Sequence, residues 1–379
     1  MSGPATAQPV RHRAPVERQW RRRLLLLATA LLAGAAVVAA ALYLVGPEDY
    51  PGEGQGVVVV RIERGDSTSA IGDMLLGRGV VASRAAFVDA ASEQPDIQRV
   101  QPGYYEMREL MSGDAAATAL LDPDARVGFM DVKGGIQLDD TKAPNGTVTP
   151  GVLSQISEAT CVGEESQRRC LSVETLRATM AKAAPEALGV PDWAEAGYTR
   201  AAPNRRLEGL VAPGTYDLDP TGGPVQVLRS VLTTSVPRLE SAGLGGEGSY
   251  ETLIRASLVE REAIARDMPQ VARVISNRLL AGQRLELDST VNYPLDVQAL
   301  RTTSEARGTP GPYNSYLNTG LPPTPVSSVS DAALAAAREP APGPWLFFVR
   351  CTTEGGSCFA VTFPEHQANV ARAREAGAF

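Results

Sequence analysis

The sequence predicts an α+β protein behind a single N-terminal transmembrane helix. Three observations predict it. A 22-residue uncharged run lies near the start, short β-branched runs are separated by longer segments of helical period, and 36 Gly and 28 Pro supply frequent turns. At 379 residues the chain has room for about two domains. Apolar residues at 44% and charged residues at 21% make an ordinary globular mixture, which excludes a disordered or collagen-like chain. The net charge of −7 argues against a nucleic-acid-binding protein, which would present a basic face. Lys133, Lys142 and Lys182 are the only lysines among 36 basic residues, a skew of genome composition rather than of function.

The charge is unevenly placed. Residues 1–23 carry Arg11, Arg13, Arg18, Arg21, Arg22 and Arg23 against Glu17, a balance of +5, so the rest of the chain carries −12. Residues 24–45 follow without a charge. At about 1.5 Å per residue the run makes roughly 33 Å of helix, enough for a hydrocarbon core of about 30 Å. Gly46 and Pro47 end it, with Glu48 and Asp49 beyond. Basic residues before the span predict a cytoplasmic tail at 1–23 and everything after residue 45 outside, in the cell membrane's outer space. A cleaved signal peptide is the rival, with small residues at Ala39, Ala40 and Ala41. The run exceeds a signal core of about 7–15 residues, so an uncleaved single-pass anchor is expected.

All four cysteines lie beyond the span, as the close pairs Cys161 with Cys170 and Cys351 with Cys358. Three pairings are possible in principle. The short separations favour two local bridges, and neither pair has zinc spacing. We read them as disulfides of an oxidising compartment.

The elements follow in order. Residues 46–56 form a Pro/Gly-rich linker, and residues 57–62 (VVVVRI) read as a buried strand. Asp66 or Ser67 caps a helix running to about Gly77, and Gly79 stops it. Ser83 caps a second helix with Ala86, Phe87 and Ala90 on its apolar face. A strand at 104–107 and a helix at 115–121 close a small unit at 57–122. The larger domain, 123–379, opens with a strand at 127–132 and helices at 150–158 and 173–186. A strand and turn at 207–216 precede an amphipathic helix at 224–241 and a glycine-rich linker at 243–249. Ser249 reads as the cap of the next helix, YETLIRASLVEREAIARDM, and Asp267 with Pro269 as the start of another that Gly282 ends.

The first of these last two helices carries the chemistry. Leu253, Ile254, Ser257, Leu258 and Val259 cover most of its circumference, so it is largely buried. Glu260 and Glu262 are two positions apart, about 200° around the axis, and cannot both face one cleft. A carboxyl held against apolar surroundings keeps its proton to higher pH, as a general acid requires. The plain alternative is that both are exposed and pair with Arg255, Arg261 or Arg266.

RASLVEREA, VISNRL, LDSTVNY, PYNSYLNTGLPPTPV and WLFFV…FAVTFPEHQ follow one another in that order over about 251–375. This succession resembles the YceG-like family, the MltG-type endolytic murein transglycosylases. The anchor and the strand–helix–helix–strand opening, which resembles a LysM module of cell-wall proteins, fit as well. The resemblance implies a catalytic domain that cleaves peptidoglycan glycan strands with no metal or cofactor, near penicillin-binding-protein synthases as partners. It implies Glu262 as the catalytic acid, with Glu260 as its competitor. Glu208, Glu260, Asp288, Thr290, Tyr293, Tyr313 and Asn314 match other motif positions and are expected to line the glycan cleft. His366, in the family's E-H position, is expected to be structural. A hydrolysing muramidase would need a second carboxylate such as Asp288, and a non-catalytic scaffold that recruits synthases would need none. The sequence departs from the family in loops: residues 325–330 replace a P-I-x-N-P-G stretch, Ser357 stands where a histidine is usual, and Pro213-Gly214 replaces P-D.

Overall fold

The computed structural model describes residues 16–45, 47–164, 167–295, 297–298 and 302–378. Helix α1, Val16–Val45, contains the expected span. Its side chains are described at residue 20 and at 23–37, where Leu25, Leu26, Leu27, Leu31, Leu32 and Val37 are all exposed. Side chains at 38–45, the rest of the span, lie outside the described residues. Among the described residues no helix is long and apolar enough to cross a membrane. The tail at 1–15 also lies outside them.

The small unit is built from β1 (Glu53–Ile62), α2 (Thr68–Gly77), α3 (Arg84–Ser92), β2 (Gly103–Met111) and α4 (Gly113–Leu121). Ser67, Ser83 and Ser112 cap the three helices by accepting from the backbone N–H groups of Ala70, Ala86 and Ala115, which satisfies donors the first turn leaves open. Strands β1 and β2 are antiparallel, with Val60 opposite Tyr105 and Ile62 opposite Gly103. Alternation sends Val60, Ile62, Tyr105 and Met107 inward against Ile71, Leu75, Phe87 and Leu120 in a core of its own.

The expected strand at 127–132 is two strands. β3 (Arg126–Val127) extends the small unit's sheet beside β2, while β4 (Phe129–Val132) pairs with a later strand. Gly128 between them has φ +74°, and a Cβ there would lie 2.0 Å from the Leu218 carbonyl oxygen. Only glycine makes this crossing between the two units.

The large unit continues through β5 (Thr141–Lys142), β6 (Val148–Thr149), α5 (Val152–Ala159), α6 (Val173–Lys182), α7 (Pro185–Leu188) and α8 (Asp192–Arg200). The expected helix at 173–186 is broken after Lys182 because Ala184 precedes Pro185 and is held extended. β7 (Gly214–Asp217) is the partner of β4, and α9 spans Pro224–Ser241. Then come α10 (Ser249–Glu262), α11 (Met268–Leu280), α12 (Asp288–Asn292), α13 (Ser304–Gly308) and α14 (Asp331–Arg338). The hairpin of β8 (Phe347–Arg350) and β9 (Ser357–Ala360) and the helix α15 (Phe363–Glu375) end the fold.

Two expected caps are differently employed. Gly248, at φ +76°, caps α10, and the Ser249 hydroxyl instead accepts from the Gly245 and Gly246 N–H groups. Asp267 makes no cap bond to α11; its carboxylate accepts from the Ser357 N–H at 2.7 Å and so anchors β9. Helix α10 is buried from Leu253 to Val259 apart from Arg255, and its residues join one large core with α9, α11 and α14.

Both short cysteine pairs are bridged, Cys161 to Cys170 and Cys351 to Cys358.

Candidate active site

Glu262 is the last residue of α10 and lines a cavity of about 690 Å³. Its carboxylate oxygen Oε1 accepts from the Ser289 N–H at 3.1 Å. Burial pushes its pKa up, and the negative charge of Asp288 adds to the rise, while Ser289 and Arg261 oppose it. The carbonyl end of α10 favours the neutral acid too. The net effect is a carboxyl that keeps its proton above the ordinary range.

Glu260 faces elsewhere. Its Oε2 accepts from the Ser330 hydroxyl at 2.5 Å and the Ser330 N–H at 3.0 Å, and Ser330 is the cap of α14. It borders a separate cavity of about 280 Å³ with Gly134 and Gly135. The two glutamates thus face different cavities, as their angular separation requires. Among the described residues neither forms an ion pair; Arg261 donates to the Gly135 carbonyl and the Gln298 side chain instead.

Asp288 shares the large cavity with Glu262. Its Oδ1 accepts from Thr302 Oγ1 at 2.6 Å, Tyr316 Oη at 2.9 Å and Arg307 Nε at 3.2 Å, and its Oδ2 accepts from Arg307 Nη2 at 3.1 Å. Burial alone would raise its pKa, but the bonds from Thr302, Tyr316 and Arg307 together outweigh it and hold the carboxyl below its usual value. The cavity therefore holds two acids whose environments push their pKa values apart, Glu262 upward and Asp288 downward.

The other expected cleft residues are brought near but stand behind the wall. Thr290 is buried and locked to Ser315 Oγ and the Leu287 carbonyl, both at 2.7 Å. Tyr293 is buried, and its hydroxyl donates to Glu208 at 2.7 Å. Tyr313 is tilted against Tyr293 and bonded to Thr324. Asn314 donates to the Arg307 and Thr309 carbonyls and accepts from the Tyr316 N–H, so it places the two side chains that hold Asp288. Glu208 is 1% exposed and accepts from the Leu138 N–H as well as from Tyr293. The structure thus places these residues behind the wall of the large cavity, and Glu260 at the smaller one, where their hydrogen bonds support the loops. They carry polar groups because the loops they tie together are buried and need their hydrogen bonds met.

Burial raises Glu208 to about 7, against the opposing pull of Tyr293 and Arg205. A carboxyl raised in the fold binds a proton that the unfolded chain releases, so stability is full below about pH 4.5 and declines as pH rises to about 7. The loss is of order 3 kcal/mol. Urea unfolding of Glu208→Gln, which mimics the protonated form, is expected to lack this decline.

Apart from His366, the remaining lining comprises residues that the sequence reading did not name as cleft candidates. Ser289, Asn292, Arg307 and Tyr316 surround the two acids; Arg278, Glu286, Phe347, Phe348, Arg350, Phe363 and His366 form another wall. Tyr316 was within reach of the sequence, three residues after Tyr313 in PYNSY, whereas Arg307 has no motif around it. Among the described residues no group of three or more His, Cys, Asp or Glu is placed to hold a metal ion.

The hairpin β8–β9 supplies Phe347, Phe348, Val349 and Arg350 to the cavity, and its turn supplies Gly355. The Cys351–Cys358 bridge closes that turn. Replacing both cysteines by alanine is expected to raise KM by about tenfold, through misplacement of the wall, while circular dichroism stays unchanged. The same pair of changes at Cys161 and Cys170, which do not line the cavity, serves as the control.

The fold and cavity define a class: an α+β protein with one glutamate of raised pKa at the end of a buried helix, sharing its cavity with an aspartate of lowered pKa. The chain belongs to the YceG-like family, whose sequence pattern matches residues 60–372. It is 25% identical over 320 residues to an "Endolytic murein transglycosylase" of Bacillus subtilis, covering 82% of each chain. It is 28% identical over 176 residues to a protein of the same name in Streptococcus pneumoniae, a match covering 44% of this chain and 32% of that one. The crystal structure of a yceG-like protein from Listeria monocytogenes superposes with a TM-score of 0.52 at 23% identity, over 82% of this chain and 98% of that one.

Proposed function

We propose that the protein is a membrane-anchored lytic transglycosylase that cuts peptidoglycan strands internally, between N-acetylmuramic acid and N-acetylglucosamine. The observation that carries this reading is one cavity shared by a glutamate whose burial raises its pKa and an aspartate already bonded by Arg307, Tyr316 and Thr302. Glu262 gives its proton to the glycosidic oxygen as the bond to C1 of the muramic acid breaks. Positive charge grows on that ring, and the fixed negative charge of Asp288 favours it. The Glu262 carboxylate then takes the proton of the ring's own C6 hydroxyl, whose oxygen attacks C1 and closes a 1,6-anhydro ring. No water enters, so the free second carboxylate of a hydrolase is not required.

The names of the Bacillus and Streptococcus relatives support the same reaction. The exposed leucines of α1, continuous with an uncharged run to residue 45, support anchoring in the cell membrane with the tail at 1–23 in the cytoplasm. The two disulfides support an extracytoplasmic catalytic domain. Such a tether restricts cleavage to strands near the bilayer, where synthases deliver them, and suits a terminator of new strands. The small unit, with its β1-α2-α3-β2 order, is a LysM-like glycan-binding element in this reading.

Mass spectrometry of strand ends tests it. Incubating uncrosslinked strands with the protein is expected to yield new 1,6-anhydro-muramic acid ends. Reducing ends would point to a hydrolase using Asp288, and intact strands to a non-catalytic scaffold.

A further inference from the structure

The cavity that holds Glu262 is larger than the surroundings of the two acids. Its other wall is formed by β8 and α15. There the Arg278 guanidinium lies 5.0 Å over the Phe347 ring, and the His366 imidazole stacks on Phe347 at 5.3 Å with 23° between the planes. Phe347 is thus in contact with both a cation and an imidazole. Phe363 precedes His366 by one turn of α15 and tilts against Phe347 at 5.9 Å, yet it remains 56% exposed.

Phe363 is fixed in place rather than loose. It is the first residue of α15, followed by Pro364 and secured by the capping box of Thr362 and Glu365. A large apolar ring held open to a polar cavity marks a contact surface. His366 belongs to the same wall, and its enclosed Nδ1 has no hydrogen-bond partner among the described residues. An apolar platform in a cavity that is also lined by Arg278, Glu286 and Arg350 suits a ligand with one apolar face and a polar edge. A pyranose presents axial C–H groups on its face and hydroxyl and acetamido groups around its rim.

We infer that Phe363, backed by Phe347 and His366, is a second sugar subsite of the cleft, stacking the apolar face of an N-acetylhexosamine in the strand on which Glu262 acts. The inference rests on the proposed cleavage of glycan and adds to it: the platform fixes the strand's register against the acid. It gives His366, expected to be only structural, a place in the substrate wall.

The test uses the full-length protein in detergent with Glu262→Gln, so that binding is read without cleavage, and chitotetraose as the probe. Calorimetry is expected to show binding that weakens about tenfold on adding Phe363→Ala and survives Phe363→Trp. Phe363 is exposed, so its loss does not threaten the core, and circular dichroism checks this. In the active protein Phe363→Ala is expected to raise KM for uncrosslinked strands more than it lowers kcat and to change the lengths released. Unchanged affinity and unchanged product lengths in Phe363→Ala overturn the subsite even if anhydro ends form, as does failure of the Glu262→Gln protein to bind the probe. If wild-type protein leaves strands intact while probe binding depends on Phe363, the cleavage reading falls and the subsite stands.

Discussion

Replacing Glu262 by Gln is expected to lower kcat by about 10³-fold or more, because a positioned acid contributes about 10²–10⁴ and here the same group must also act as base. Glutamine has the shape of the protonated acid and still accepts from the Ser289 N–H, so the cavity keeps its form. What it lacks is a proton to give. Glu260→Gln makes the contrast. Glu260 bonds Ser330 at the start of α14, and losing its charge weakens those bonds by about 1–2 kcal/mol. Its expected signature is a lower midpoint of thermal unfolding with cleavage by the folded protein retained. The two changes lie on one turn of one helix, so a nonspecific disturbance of α10 would affect both alike. Strand cleavage and thermal unfolding measured on both variants separate the roles.

Asp288→Asn is expected to reduce kcat by about 10–10²-fold and to shift the pH profile in a definite direction. The acid form of Glu262 is the active one, so activity falls as pH rises through its pKa, which burial and the Asp288 charge raise. Removing that negative charge, and leaving Arg307 without its partner, both stabilise the Glu262 carboxylate. The alkaline limb of kcat/KM therefore moves to lower pH in Asp288→Asn. An unmoved limb would mean that Asp288 acts on loop structure alone. Thr302→Val, which removes one bond to Asp288 and keeps its charge, is expected to leave the limb close to its wild-type position.

The order of elements was legible because local chemistry states it: serines before helices, proline in first turns, glycine where the backbone turns left-handed. From helix geometry alone the two glutamates were legible only as facing different ways, since 200° of helix separates them but composition does not say which side is open; the preference for Glu262 came from the motif resemblance. The support residues show the reverse problem. Thr290, Tyr293, Tyr313, Asn314 and Glu208 are polar types that a cleft would use, and buried loops use them equally. Nothing in their identity distinguishes a hydroxyl aimed at a sugar from one aimed at Glu208. Arg307 and Phe363 went unnoticed because their roles come from tertiary placement: one reaches back nineteen residues to Asp288, and the other is exposed where most phenylalanines are covered.

The central claim is that Glu262 alone moves the proton in both directions and that no water takes part. Cleavage of uncrosslinked strands in water enriched in the heavy oxygen isotope tests it most directly. The account predicts new muramic acid ends of unaltered mass, lower by one water than hydrolysed ends and free of the label. Label at C1 of the new ends would contradict it and make the enzyme a hydrolase.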